Sequence, residues 1–345
     1  MKRVSSRELS FPSSNGVDQI HVLAYVPADE IKGYVQIVHD TYEHIGIYED
    51  VMKSFAYRGY LAFGHDHMGH GGSVSKEEDL GKLKGNNNFQ NLISDTNLAF
   101  LLVFNEYPPK EKKTYKTTVV ERKGLKKTTK ELELVKPPLH AIIGVGFGSA
   151  IVRNYAVIYN DINCVCLCGD KGFPINGKLT LMKCNAEIRK HGEEARSDKI
   201  PALMEKNYLK GKDTDYRFDW KTSNRELIEI FRNDPSCNFE YDLKYLKTIL
   251  EMENSLGLSE WAQAYPPFLA TYVVSGEQDP VSDNGREVHV MLKYFQQMRK
   301  KNLFFKIYKG YHNLFFEDCR NELINNLITL MEAVEKQQYG NVENT

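Results

Sequence analysis

Two side chains in this 345-residue chain are of the types, and in the order, that acyl transfer requires; the third partner has no side chain. The segment "VVSGEQDPVSD" offers Asp279 and "KIYKGYHNLFFED" offers His312, each on a loop directly after an apolar run. An acid that orients a histidine lets the imidazole take a proton from a nucleophile. Ahead of both, "IIGVGFGSA" (142–150) has the form of a nucleophile elbow, an apolar strand running into a Gly-rich turn and then a helix. The pattern G-x-S-x-G would put a serine at the tip of that turn. Here Gly144 and Gly148 are the flanking glycines and Gly146 holds the tip.

Taken singly, Asp279-Pro280 reads as a turn and His312 as a surface loop. Both in order after a G-x-x-x-G elbow are much less easily accidental. Ser149 is the nearby hydroxyl, but it lies three residues past the tip, about one helical turn, and should face the strand–helix contact. Cys164, Cys166 and Cys168 alternate along one strand and point to one face. They read as small apolar packing, because no His or Cys pair flanks them at zinc spacing. The segment "HDHMGHG" (65–71) reads as a structural turn after a strand. No metal and no cofactor are expected.

The elements that must hold these residues alternate. "RELSFPSSNGVDQIHVLAYVP" predicts a hairpin around Asn15-Gly16. Strands are expected at 33–39, 60–66, 140–145, 163–169, 267–276 and 303–310. Helical patterns fall at 48–58, 88–105, 147–159, 284–300 and 318–336. Alternation of this kind implies a mostly parallel sheet with helices on both faces, made mixed by the first hairpin. Residues 170–265 break the rhythm and read as a helical cap over the C-terminal edge of the sheet, where ligands bind in open α/β sheets. Residues 110–131 read as a basic, exposed hairpin inserted at the other end, with nine Lys/Arg against three Glu, a local excess of +6. A solvated surface is the simpler account of that charge than an anionic partner.

Composition excludes several classes. The net charge of −1 argues against a general nucleic-acid binder. No run approaches the roughly 18 apolar residues of a membrane span. The start "MKRVSSRELSFPSS" has no apolar h-region, and the six cysteines form no paired framework, so a reduced, cytoplasmic protein is expected. The chain reads as one domain over 1–345 and sets no oligomeric state.

With these motifs in place, "VQIVHDTYEHIGIYED…FAYRGYLAFGHDHMGHGGS", the elbow "GVGFGS", the cap segment "FDWKTSNRELIEIFRNDPSCNF" and "PPFLATYVVSGEQDPVSDNGREV" resemble the monoglyceride lipase and lysophospholipase-type α/β-hydrolases, also called serine aminopeptidase S33-like. The resemblance runs over nearly the whole chain except 110–131. It implies an eight-stranded α/β-hydrolase fold, Asp279 and His312 as triad acid and base, Gly146 at the nucleophile position, and the backbone N–H groups of Thr41 and Phe147 as oxyanion hole. It also implies a pocket bordered by His39, Asp40 and Val145. Three departures matter. Gly146 can form no acyl-enzyme, Asp40 stands where the family has a glycine, and Val145 and Phe147 make the elbow apolar.

These departures predict a pseudoenzyme that binds a small acyl-like or aromatic ligand, or a partner, through the old pocket. The cap aromatics Tyr208, Phe218 and Trp220 are consistent with such a ligand. The alternatives are an active ester hydrolase using a substitute nucleophile or a His312-activated water, or an engineered nucleophile knock-out. Several concerted changes fit relaxation of the catalytic requirement better than one deliberate edit.

Overall fold

A computed structural model of the chain describes residues 4–339 apart from 110–112, 123–124, 136–138, 160, 174–176, 213, 215 and 258. Its strands are β1 (Val4–Pro12), β2 (Gln19–Pro27), β3 (Gly33–Val38), β4 (Leu61–His65), β5 (Lys113–Arg122), β6 (Leu125–Val135), β7 (Leu139–Val145), β8 (Cys164–Cys168), β9 (Ala270–Gly276) and β10 (Leu303–Tyr308). Eight of them form one sheet in the order β1-β2-β4-β3-β7-β8-β9-β10. β2 pairs antiparallel with β1 and β4, and every other neighbour in this sheet is parallel. This is the eight-stranded, mostly parallel sheet the alternating pattern predicts.

The continuous apolar runs have a simple cause. Every residue of β3, β4, β7, β8 and β9 is buried, because helices cover both faces of a parallel sheet. The crossovers are α1 (Glu49–Ala56), α2 (Asn88–Glu106), α3 (Phe147–Ile158) and α9 (Arg286–Gln297), and α10 (Arg320–Tyr339) follows the last strand. Cys164, Cys166 and Cys168 are free thiols packed inside the core. At the first hairpin, Asn15 Oδ1 accepts the N–H groups of Val17 and Asp18, and Gly16 takes a positive φ of 73°.

Between β8 and β9 the described residues make no sheet strand and fold into α4 (Gly177–His191), α5 (Lys199–Met204), α6 (Arg225–Asn233), α7 (Leu243–Ser255) and α8 (Ser259–Ala264). Asn224 caps α6 by accepting the N–H groups of Glu226 and Leu227, and Asp242 caps α7 through Tyr245 N–H. Because β8 and β9 are parallel neighbours, this segment begins at the C-terminal end of the sheet, where the elbow also emerges. β5 and β6 pair only with each other, as a separate antiparallel ribbon between α2 and β7. Lys123-Gly124, read as its turn, lies outside the described residues.

Candidate active site

The elbow is held by glycine contacts. β7 ends at Val145, α3 begins at Phe147, and Gly146 joins them with φ 52° and ψ −118°, a region that side chains strain to occupy. An ideal Cβ on Gly148 would collide with the Val38 carbonyl, so that glycine lets α3 sit directly on β3. Ser149 Oγ donates to the Gly144 carbonyl at 2.8 Å and is fully buried, which takes it out of the site.

His312 and Asp279 meet. Their loops follow the adjacent strands β10 and β9, and His312 Nδ1 lies 2.9 Å from Asp279 Oδ1. Asp279 is fixed by the Val281 N–H at 3.0 Å and the Ser275 hydroxyl at 3.3 Å. The His312 ring packs edge-on against Trp220 from the cap, centroids 4.9 Å apart. Its other nitrogen, Nε2, faces Asp40 Oδ2 at 3.4 Å. Burial opposes a charge on His312, but the Asp279 carboxylate and then Asp40 outweigh it and lift the imidazole to about 9.

Asp40 is the pivot. Its Oδ1 accepts the Phe147 N–H at 2.7 Å and the Thr41 hydroxyl at 3.3 Å. An ideal Cβ on Gly146 would fall on this carboxylate. Asp40 therefore fills the space above the elbow and takes up one of the two N–H groups expected to face an oxyanion. Its other oxygen receives Lys221 Nζ at 2.5 Å. Lys221 also donates to the Thr41 carbonyl at 2.9 Å and to Glu43 Oε1 at 3.1 Å. Glu43 in turn accepts the Tyr48 hydroxyl at 2.5 Å. Lys221, Asp40 and Glu43 are all buried, and each needs the others. Burial pushes against both charges of the closest pair. Even so, the two carboxylates hold Lys221 above its ordinary range, and Lys221 with His312 holds Asp40 well below the usual carboxylate range.

Lys221 and Glu43 were not among the expected site residues. Lys221 lies 181 positions from Asp40, and no local spacing connects them. The available signal was a buried aspartate in place of a glycine, which demands a cation.

The pocket beside Gly146 is a cavity of about 60 Å³ that includes Asp40, Thr41, Phe147, Tyr208, Trp220 and His312 in its lining. It shares Lys171, Met204, Tyr208, Glu253 and Val281 with an outer groove of about 290 Å³. Three expected pocket residues lie elsewhere. His39 is turned into the core, where its Nδ1 meets the Asp40 carbonyl at 2.8 Å and its ring packs at a tilt against His67, centroids 3.9 Å apart. Val145 alternates inward as the last residue of β7 and is fully buried. Phe218 packs between Tyr42 and Phe231.

The 65–71 turn supports the loop that carries Asp40. Asp66 accepts the N–H groups of Ile45 at 2.6 Å and Gly72 at 2.8 Å, and the His67 N–H donates to His39 Nε2 at 3.1 Å. Among the described residues, one group of three metal-type ligands comes together, His44, Asp234 and Cys237, with ligand atoms within 4.8 Å of one another. It lies at the seam between this loop and the cap, outside the pocket lining.

Comparison with known proteins bears on the fold. The model of the serine aminopeptidase S33 family matches residues 29–115. Protein K6 of vaccinia virus (strain Western Reserve) is 36% identical over 58 residues, 16% of this chain and 72% of that protein. A thermostable carboxyl esterase from Bacillus coagulans superposes with a TM-score of 0.81 at 22% identity, covering 96% of this chain and 99% of the esterase. A soluble variant of the Saccharomyces cerevisiae monoglyceride lipase gives 0.66 at 15% identity, with 97% of each chain covered. The chain therefore has the α/β-hydrolase fold, matches the serine aminopeptidase S33 family over residues 29–115 and belongs to one family with Protein K6.

Proposed function

We propose that this chain is an α/β-hydrolase homologue that has given up serine-ester hydrolysis and uses the remnant pocket to bind a ligand. One observation carries the reading. The Asp40 carboxylate occupies the volume a nucleophile side chain on Gly146 would need, and it accepts the Phe147 N–H that an oxyanion would need. A fixed negative charge there opposes the charge that develops during acyl transfer. With Gly146 at the tip, no acyl-enzyme can form. The cavity of about 60 Å³ admits only a slender group, so the ligand is one with a short acyl or other narrow apolar end and a wider part in the outer groove.

The intact His312–Asp279 contact favours a second reading, in which His312 activates a water for ester hydrolysis. One pair of measurements separates the two. The first reading expects no labelling by a fluorophosphonate and no hydrolysis of short p-nitrophenyl esters above buffer. Hydrolysis lost on His312→Asn establishes the second instead. Ligand binding is read from Trp220 fluorescence with short-chain and long-chain fatty acids; a response to neither removes the acyl-ligand assignment.

A further inference from the structure

The buried charge cluster over the elbow contains every group needed to join two of its own side chains. We infer that Lys221 Nζ and Asp40 Cγ become linked by an amide bond, a covalent tie between the cap and the loop after β3. The inference does not depend on the ligand proposed above, and the linked side chain would lose its charge but keep its oxygen on the Phe147 N–H and its place over Gly146, so the loss of ester hydrolysis holds for the linked and the unlinked chain.

Four observations converge on it. The reacting groups are in place, with Lys221 Nζ 2.5 Å from Asp40 Oδ2 and both side chains out of solvent. A base is in place, since Glu43 Oε1 lies 3.1 Å from the same nitrogen and Glu43 is fully buried. An oxyanion donor is in place, the Phe147 N–H at 2.7 Å from Asp40 Oδ1. A proton donor for the departing oxygen is in place, His312 Nε2, which faces Oδ2 at 3.4 Å as its one polar neighbour among the described residues while Asp279 holds the other ring nitrogen. The Trp220 and Phe231 rings lie 5.3 Å and 5.8 Å from Nζ, and Lys221 is fully buried. Fixing an amine against a carboxyl in a buried site replaces a bimolecular encounter by an intramolecular one, worth effective molarities on the order of 10⁵ M or more.

The step balances without an outside reagent. Glu43 takes one proton from the ammonium, and His312 gives one to Oδ2. The freed amine attacks Cγ, and negative charge collects on Oδ1 against the Phe147 N–H. The Nζ–Cγ bond forms and the Cγ–Oδ2 bond breaks. A second proton passes from nitrogen to Oδ2, which leaves as water. Glu43 returns its proton through that water to His312. Nothing is oxidised or reduced, and one water is lost. The dyad that would assist hydrolysis of a substrate ester here assists condensation of the protein's own carboxyl.

The test is the intact mass of the full chain, denatured after purification, with tandem mass spectrometry of its proteolytic peptides. The expected result is a mass lower than that of the sequence by one water and a branched peptide joining Asp40 to Lys221. Lys221→Arg and Glu43→Gln should each give the full mass and no branched peptide. A wild-type protein of full mass, with Asp40 and Lys221 recovered in separate linear peptides after prolonged incubation at neutral and mildly alkaline pH, overturns the inference. So does a missing water that maps to any other residue. The wild-type peptides decide the matter even if a variant does not fold.

Discussion

The carboxylate of Asp40 lies where a side chain on Gly146 would have to go. The two residues come from different loops, after β3 and after β7, and each excludes a change in the other. A Gly146→Ser substitution alone therefore meets Asp40 and strains the elbow. It should destabilise the protein and give no ester hydrolysis.

The double change Gly146→Ser with Asp40→Gly removes that collision and frees the Phe147 N–H. It also leaves Lys221 with one carboxylate, Glu43, so the buried charge stays matched. Initial rates on a short p-nitrophenyl ester should be at least about 10²-fold higher for the double variant than for either single one, the usual size of one oxyanion contact. A folded double variant with no activity would show that the pocket itself no longer accepts an ester.

Lys221→Met should be far more damaging than Asp40→Gly. It strands Asp40 and Glu43 in the interior without their cation. Removing one partner of a buried ion pair costs about 3–5 kcal/mol. Urea denaturation should show a loss of that order for Lys221→Met, and partial recovery when Asp40→Asn is added. Equal losses for Lys221→Met and Asp40→Gly would contradict the charge balance described here.

Stability should peak near neutral pH and fall on both sides. Burial keeps His39, His65, His67 and His70 neutral, holding His65 and His70 down to about 3 and His67 to about 4. The unfolded chain binds protons at these positions near pH 6.5. Their contribution is thus present above about 6.5 and is lost as the pH falls below it. His312 works in the opposite sense. Raised to about 9, it contributes fully below about 6.5, and the contribution disappears as the pH rises through 9. Denaturation midpoints from pH 4 to 10 should trace this profile, and His312→Asn should flatten the alkaline side alone.

Gly148→Ala tests the seat of the elbow. Its Cβ would collide with the Val38 carbonyl, a backbone atom that cannot swing aside. A loss of about 1–3 kcal/mol is expected, typical of an overpacked contact. No change in the thermal midpoint would mean that α3 shifts freely on β3.

Much of this was legible in the chain. β3, β4, β7, β8 and β9 announced themselves because continuous apolar runs mark strands covered on both faces, and β1 and β2 by the Asn15-Gly16 turn between them. Asp279 and His312 could be placed because each follows a strand closely. What stayed hidden was set by distance in sequence. Asp40 showed as a charge in the wrong place, but its occupation of the space above Gly146 depends on how two loops pack. Lys221 read as one lysine of a polar cap segment, because nothing near it in the sequence reports a partner 181 residues away. His39 and Val145 were placed at the pocket by their neighbours in sequence, whereas loop direction and strand alternation turn them into the core.

The ribbon of β5 and β6 has a practical consequence. β7 enters the sheet at Leu139 and delivers Gly146 from its other end, roughly 20 Å away at strand rise. The ribbon is inserted ahead of that entry, and its ladder is self-contained. Chain length at this point can vary without moving the elbow. It is the natural place to graft a fluorophore or an affinity tag, and to immobilise the protein with its cap facing the solution.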